Sequence, residues 1–105
     1  MNETKPPRSA FPKALKTARL ARGMSQEDFS VVSSRTYVSS LERGIKEPTM
    51  SKVDQLADAM NIHPLALLFL SYISDKEKTT VVNMIDKVSR ELFEILNFDQ
   101  NEDSK

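Results

Sequence analysis

The stretch from residue 24 to 44, MSQEDFSVVSSRTYVSSLERG, most constrains the fold of this chain, because it predicts two short helices joined by a tight turn. Ser25 can cap the first helix, and Asp28, three positions later, is a weaker form of the Glu or Gln of a full capping box. Ser34 can cap the second helix, and Gly44 can end it by taking a left-handed backbone conformation. Helices this short have little stability alone, so other elements must hold them.

The second of these helices has one apolar and one polar face. Val38 and Leu41, three positions apart, share a face that must turn toward a core. At about 100° per residue, the remaining polar positions then point outward and form a small, basic face. These positions are Arg35, Thr36, Ser39, Ser40 and Arg43. Such a face suits the major groove of DNA, which admits one helix, although a solvated helix surface without a partner explains the same pattern.

Four of these side chains are predicted to contact DNA bases. The guanidinium of Arg35, at the exposed N-terminal end of the helix, can bind guanine through two parallel hydrogen bonds. The hydroxyls of Thr36, Ser39 and Ser40 can bind bases or phosphates. Lys46, in the loop after the helix, is expected to contact a phosphate.

The same stretch resembles the phage-repressor family of helix-turn-helix proteins, the Cro and lambda-repressor type that is also called XRE. The resemblance rests on SQEDF at 25–29, SRTYVSSLERG at 34–44 and EPT at 47–49, and it covers roughly residues 11–70. It implies a five-helix, all-α, DNA-binding domain whose second motif helix is the recognition helix.

The resemblance also implies contacts with the DNA backbone and one ion pair inside the protein. The backbone contacts would come from Ser25, Gln26, Tyr37 and Arg43, in addition to Lys46. Gln26 would bind a phosphate at a helix N-terminus, and Tyr37 would lie near the sugar-phosphate edge. Arg19 and Glu42 would form a partly buried ion pair between the first helix and the recognition helix. Sequence spacing alone does not distinguish this pair from two unrelated surface charges.

One departure from the family pattern lies between the two motif helices. The family has a longer link with a glycine in the turn, whereas the segment from Phe29 to Glu42 is about two residues shorter and has no glycine. The shorter link predicts a changed angle for the recognition helix, which concerns the base contacts more than the fold.

Charge is divided unevenly along a chain whose formal net charge is zero. Residues 8–52 carry nine Lys or Arg against four Asp or Glu, a net charge of +5. Residues 53–105 carry five basic against ten acidic residues, a net charge of −5. The motif lies in the basic half, which favours a polyanionic partner for that end, although chance segregation is the alternative.

The composition offers little for catalysis, metal binding or membrane insertion. The 105 residues include no cysteine and one histidine, His63, so there is neither a thiolate site nor a histidine cluster. No glycine-rich phosphate loop or serine-nucleophile motif is present. We therefore expect no enzymatic activity, no metal and no cofactor. Because no apolar run approaches about 20 residues and the N-terminus lacks a signal-peptide pattern, we expect a cytoplasmic protein.

Supporting helices are predicted on both sides of the motif. They span residues 9–22, 49–60 and 65–73. The last of them is apolar nearly all round, so it must be covered on several sides. With the motif, these helices make a DNA-binding domain over residues 9–73, and residues 1–8 are expected to be a disordered arm.

A heptad-like seam marks an additional C-terminal helix predicted over residues 74–97. Its apolar residues recur at spacings of 4, 3, 4 and 3, namely Val81, Ile85, Val88, Leu92 and Ile95. Such spacing is typical of a dimerising coiled coil, although two heptads are few. The alternative is a helix that folds back on its own core. The acidic residues 98–105 are expected to be disordered.

These patterns predict a sequence-specific regulator of transcription that binds double-stranded DNA, most simply a homodimeric repressor on a palindromic operator. A homodimer fits because a two-fold protein reads a two-fold site. The alternative is an antitoxin or adaptor, in which the helix-turn-helix fold is mainly a scaffold and the apolar C-terminal helices bind a protein partner.

Overall fold

The computed structural model describes residues 10–73 and 77–103, and within these ranges the chain is helical and has no β-strand. The elements are α1 (Ala10–Ala21), a 3-10 helix (Gln26–Phe29), α2 (Arg35–Glu42), α3 (Met50–Ala59), α4 (Pro64–Tyr72) and α5 (Lys78–Asp103). The chain divides after Ser74 into two compact units, of which the second contains α5. The prediction of an all-α fold with an additional C-terminal helix is therefore confirmed.

Side-chain caps fix where α2, α3 and α4 begin. The hydroxyls of Ser34 and Thr49 each accept a hydrogen bond from the backbone N–H three residues later, at 3.1 Å. At the start of α4, Nδ1 of His63 accepts from the backbone N–H of Leu65 at 3.0 Å. These bonds satisfy amides that have no partner within the helix, which stabilises each helix end.

The left-handed backbone conformation ends α2 as the sequence predicted. Gly44 has a φ of +75°, and the backbone N–H of Ile45 bonds back to the carbonyl of Ser40 at 2.9 Å. Asn61 ends the α3 segment in the same way with a φ of +59°. Asparagine tolerates this conformation better than most residues that have a Cβ.

The core of the first unit draws a side chain from every element of that unit. Its largest fully buried members are Leu15, Phe29, Val38, Leu41, Leu56, Met60 and Leu67. Burial of each stabilises the fold by roughly 2 kcal/mol relative to leaving the side chain in water. Around this core α1 packs against α4 and α2, α3 packs against α4, and the 3-10 helix packs against α2. Helix α2 is therefore held both by α1, which is distant in sequence, and by the neighbouring 3-10 helix.

The first of the two short motif helices predicted from the sequence is a single 3-10 turn of four residues. Asp28 makes the expected capping contact, since its carboxylate accepts from the backbone N–H of Ser25 at 2.7 Å. The shortened link is closed by the carbonyl of Phe29, which accepts from the backbone N–H groups of Val32 and Ser33 at 2.8 and 2.9 Å. The chain thus makes up for the missing residues by tightening both the helix and the turn.

The last helix is longer than the composition predicted. The disordered tail expected from residue 98 does not begin there, because α5 continues to Asp103. No glycine or proline interrupts the sequence from Lys78 to Asp103, and acidic side chains do not by themselves end a helix.

The predicted arm at 1–8 lies outside the described residues. In the part of the chain that the structure describes, no helix is long and apolar enough to cross a membrane.

Candidate nucleic-acid interface

Helix α2 turns its apolar face inward and its polar face to solvent. Val38 and Leu41 are fully buried, as the sequence predicted. Arg35 and Thr36 are exposed at the N-terminal end of the helix, and Ser39 is partly exposed one turn further on. Three of the four predicted base-contacting side chains are therefore accessible on one helix.

The fourth, Ser40, is only 7% exposed, so the prediction that it points outward is wrong. The chain after Gly44 folds back along α2, and the backbone N–H groups of Ile45 and Lys46 bond to the carbonyl of Ser40 at 2.9 and 3.4 Å. These bonds hold the start of the following loop beside the backbone of Ser40. Helical periodicity alone does not include that loop, and Ser40 is not part of the exposed face of α2.

Arg19 and Glu42 form the ion pair that the resemblance implied. The Nε and Nη2 atoms of Arg19 donate to the two carboxylate oxygens of Glu42 at 2.7 and 3.0 Å, and Nη1 donates to the carbonyl of Met24 at 2.9 Å. The two side chains are only 9% and 5% exposed. Hydrogen bonding to Glu42 raises the pKa of the Arg19 guanidinium above its ordinary value, although burial opposes this shift. The Arg19 guanidinium therefore stays charged, and its hydrogen bonds to Glu42 fasten α2 to α1.

Gln26 joins this pair at the start of the 3-10 helix. Its Nε2 donates to Oε1 of Glu42 at 3.0 Å. An amide NH₂ has two N–H groups, so this bond turns the nitrogen toward Glu42 and leaves a second N–H for another acceptor. The 3-10 helix and α2 are thus fixed to each other by the same carboxylate that holds Arg19. Sequence spacing gave no sign of this shared carboxylate.

Residues that are predicted to contact DNA, at the start of the 3-10 helix and at the start of α2, line one shallow cleft. The cleft has a volume of about 350 Å³ and is open to solvent. It is lined by Arg19, Ser25, Gln26, Glu27 and Arg35. Ser25 and Gln26, predicted to contact the backbone, therefore lie beside Arg35, predicted to contact a base.

At the other end of α2, Arg43 and Lys46 are both exposed. The Nε of Arg43 donates to the hydroxyl of Ser39 at 3.2 Å. A hydroxyl that accepts one hydrogen bond still has its own hydrogen to donate. Basic side chains consequently lie at both ends of the exposed face of α2, with hydroxyls between them.

Lys52, on α3, contacts residues of the candidate interface, and sequence reasoning missed it. Its Nζ donates to the carbonyl of Val32, in the turn before α2, at 2.8 Å. The same Nζ lies 5.4 Å from the centre of the Tyr37 ring, which is within the range of a cation–π interaction. Lys52 therefore fixes both the turn and the aromatic side chain on the flank of α2. No local pattern indicates it, because it is 20 residues from Val32.

Comparison with known proteins identifies the domain. A family model described as helix-turn-helix matches residues 15–67, about half of the chain. The chain belongs to this helix-turn-helix family. A crystal structure of a hypothetical transcription factor, NHTF from Neisseria, is similar to it, with 28% sequence identity and a TM-score of 0.53 over 58% of this chain and 72% of that one. No curated protein matches the chain significantly. The family and this neighbour support a DNA-binding regulator.

The helix-turn-helix match ends before α5, which carries the five predicted dimerisation residues. Four of these, Ile85, Val88, Leu92 and Ile95, are between 41% and 64% exposed. Among the described residues, no three His, Cys, Asp or Glu side chains come together in a way that could hold a metal ion.

Proposed function

We propose that this protein is a sequence-specific regulator of transcription, which binds double-stranded DNA with α2 in the major groove and acts as a homodimeric repressor. The observation that carries the proposal is a polar recognition face on a helix that is locked in place. Arg35, Thr36 and Ser39 are accessible, while Glu42 of the same helix is tied to Arg19 by two hydrogen bonds. A helix fixed before binding loses little conformational freedom when it enters the groove.

Base readout comes from the exposed N-terminal part of α2. Arg35 binds N7 and O6 of a guanine through its two-pronged guanidinium, the commonest specific contact in the major groove. Thr36 offers a hydroxyl to a base edge and a methyl group to a thymine. Ser39 donates the hydrogen that its bond with Arg43 leaves free.

Phosphate contacts set the register of α2 on the duplex. Gln26 donates its second N–H to a phosphate beside the start of α2, next to Ser25. Arg43 and Lys46 bind phosphates at the opposite end, and Tyr37 lies along the sugar-phosphate edge on the support of Lys52. These contacts position the protein but carry no sequence information of their own.

The homodimer follows from the exposed seam of α5 and from the geometry of the duplex. A two-fold dimer presents two copies of α2 to half-sites that lie one helical turn, about 34 Å, apart on the same side of the DNA. Occupation of such a site over a promoter blocks polymerase, which is the simplest form of repression.

Selection from a randomised duplex pool, followed by sequencing of the bound fraction, tests this function. We expect enrichment of a palindrome whose half-sites are centred about 10 base pairs apart. Enrichment of a single, unpaired half-site would contradict the homodimer. A bound fraction with no enriched sequence would contradict specific binding and would favour the antitoxin or adaptor, in which the domain is a scaffold.

Replacing Lys46 with glutamine should weaken binding to every duplex by a similar factor. The change removes one phosphate contact, so the slope of log K against log salt, which is negative, should become less steep by about 0.9. Titration at several salt concentrations measures both quantities. Lys87→Gln is the matched control, since it removes the same charge from α5, where Lys87 pairs with Glu91, and should leave the slope unchanged. Loss of affinity on the selected sequence alone would contradict the assigned role of Lys46.

Replacing Lys52 with methionine should lower affinity for the selected duplex several-fold, because the turn and Tyr37 lose their support. It should also cost about 1 kcal/mol of stability, the usual net value of one hydrogen bond. Lys52→Arg keeps a cation and a donor and should retain most of the affinity. Titration of both variants, together with urea unfolding, separates the two effects. Equal affinities for the wild type and Lys52→Met would show that Lys52 does not position the interface.

A further inference from the structure

Helix α5 exposes more apolar surface than a single chain normally leaves in water. Eight of its large apolar side chains are between 41% and 67% exposed, namely Val82, Ile85, Val88, Leu92, Phe93, Ile95, Leu96 and Phe98. At 100° per residue, all but Phe98 fall within about half of the helix circumference. The exposed set is on the order of the 800 Å² that each partner contributes to an interface of standard size, and larger than the usual largest patch on a monomer.

The polar side of α5 is already occupied by contacts within the helix. Asp86 pairs with Arg90 at 2.9 Å, and Lys87 pairs with Glu91 at 3.1 Å, each between residues four positions apart. These exposed pairs contribute only a few tenths of a kcal/mol each. They do, however, take up most of the charged groups opposite the apolar face. A partner for α5 must therefore be recognised mainly by its own apolar surface and by the charges at the two ends of the helix.

Charge changes sign along α5. Residues 78–90 contain three basic residues and one acidic residue, a net charge of +2. Residues 91–98 contain two acidic residues and no basic one, a net charge of −2, and the sequence remains acidic to Asp103. This order is the reverse of the one that the helix dipole favours, so each end would gain from charges of opposite sign beside it.

Lys78 lies at a seam position, where the direction of a helix pair decides which residues it meets. It precedes Val81 by three residues and so continues the 4, 3, 4, 3 alternation of the seam toward the N-terminus. In a parallel pair, a residue at a seam position meets its own copy, so two Lys78 side chains would face each other. In an antiparallel pair, Lys78 instead meets the acidic end of the other helix.

We propose that two copies of this chain associate through an antiparallel pair of α5 helices. The partner is a second copy because the apolar face is large enough for a stable interface, and because the basic half of one α5 is complementary to the acidic half of another. This inference rests on the homodimer of the proposed function and adds the direction of its helices.

The direction of pairing sets the distance between the N-terminal ends of the two α5 helices. The middle of the pairing lies between Val88, the centre of the seam, and the midpoint of the 26-residue helix. With a rise of about 1.5 Å per residue, the two Lys78 positions are then about 30 to 37 Å apart along the pair. A parallel pair would hold them only about 10 Å apart.

Spin-label distances in the full-length dimer test the direction of the helices. The chain contains no cysteine, so Thr79→Cys and Arg90→Cys each introduce a single labelling site, one near the start of α5 and one near its middle. Antiparallel pairing predicts that the label-to-label distance at residue 79 exceeds that at residue 90 by more than about 10 Å, because residue 79 is displaced from the middle at 1.5 Å per residue. Parallel pairing predicts equal distances at the two sites.

Equal distances in a dimer would overturn the antiparallel arrangement while leaving the homodimer intact. Sedimentation of the unlabelled protein gives the oligomeric state independently. A monomer at micromolar concentration would overturn both the antiparallel pair and the homodimer, and an assembly larger than a dimer would overturn the two-helix pair. Enrichment of a palindrome in the duplex selection tests the homodimer on DNA by a separate route.

Discussion

Replacing Glu42 with alanine should lower the free energy of unfolding by about 3 kcal/mol, the cost of leaving one partner of a buried ion pair unpaired. Arg19 loses both of its bonds to the carboxylate, and Gln26 loses its acceptor. The guanidinium that remains lies in a site where it is only 9% exposed. Urea unfolding followed by circular dichroism measures the loss. Of the substitutions proposed for this protein, Glu42→Ala should be the most destabilising, although Glu42 is not expected to touch DNA.

The control for Glu42 is an exposed acid in the same domain. Asp54→Ala, on α3, should change the stability by no more than about 0.5 kcal/mol, as surface substitutions usually do. Below the unfolding transition, Glu42→Ala should weaken binding to all duplexes by a similar factor, because it loosens the whole recognition helix. If Glu42→Ala is no more destabilising than Asp54→Ala, the ion pair does not hold α2 to α1.

Replacing Arg35 with alanine should cost about 1 to 3 kcal/mol of binding energy on the selected duplex and relax the preference at one base position. The side chain is exposed at the first residue of α2, so its loss should leave the stability of the fold nearly unchanged. Titration of the selected duplex and of its single-base variants measures the effect. The single-base variants of the duplex are needed because a base contact predicts that the loss of affinity depends on the base pair at one position.

Arg35→Lys separates charge from geometry. Lysine keeps the positive charge but lacks the planar fork that binds guanine through two hydrogen bonds. We therefore expect Arg35→Lys to lose most of the base preference while retaining more of the affinity than alanine does. An equal loss on every duplex, for both variants, would make Arg35 a phosphate contact and would contradict its role in base readout.

The sequence predicts well what depends on short stretches of chain. Ser34 caps α2 and Gly44 takes the left-handed conformation, both as predicted, and the helix predicted from residue 49 begins after its cap, Thr49. Val38 and Leu41 are buried, since a spacing of three residues fixes a helix face. Each of these features is decided by residues within one or two turns of each other. Local patterns are therefore sufficient to locate the motif and its inward face.

The sequence does not predict contacts that close over long separations. Lys52 reaches Val32 and Tyr37 only after α3 has packed, and Gln26 shares Glu42 with Arg19 only once three elements have met. The prediction that Ser40 points outward was wrong for a related reason, because it did not include the loop after Gly44, which returns along α2. The family resemblance supplied the Arg19–Glu42 pair, which spacing alone left open. A helical wheel describes an isolated helix, and these residues depend on its neighbours.

Fluorescence anisotropy is the most direct test of whether α2 reads DNA sequence. The protein is titrated against the selected palindrome and against a scrambled duplex of the same composition, at two salt concentrations. We expect binding to the palindrome to be tighter by at least about a thousand-fold, with both affinities falling steeply as salt rises. Equal, weak binding to the two duplexes would contradict the claim, and α2 would then be part of a scaffold for another partner.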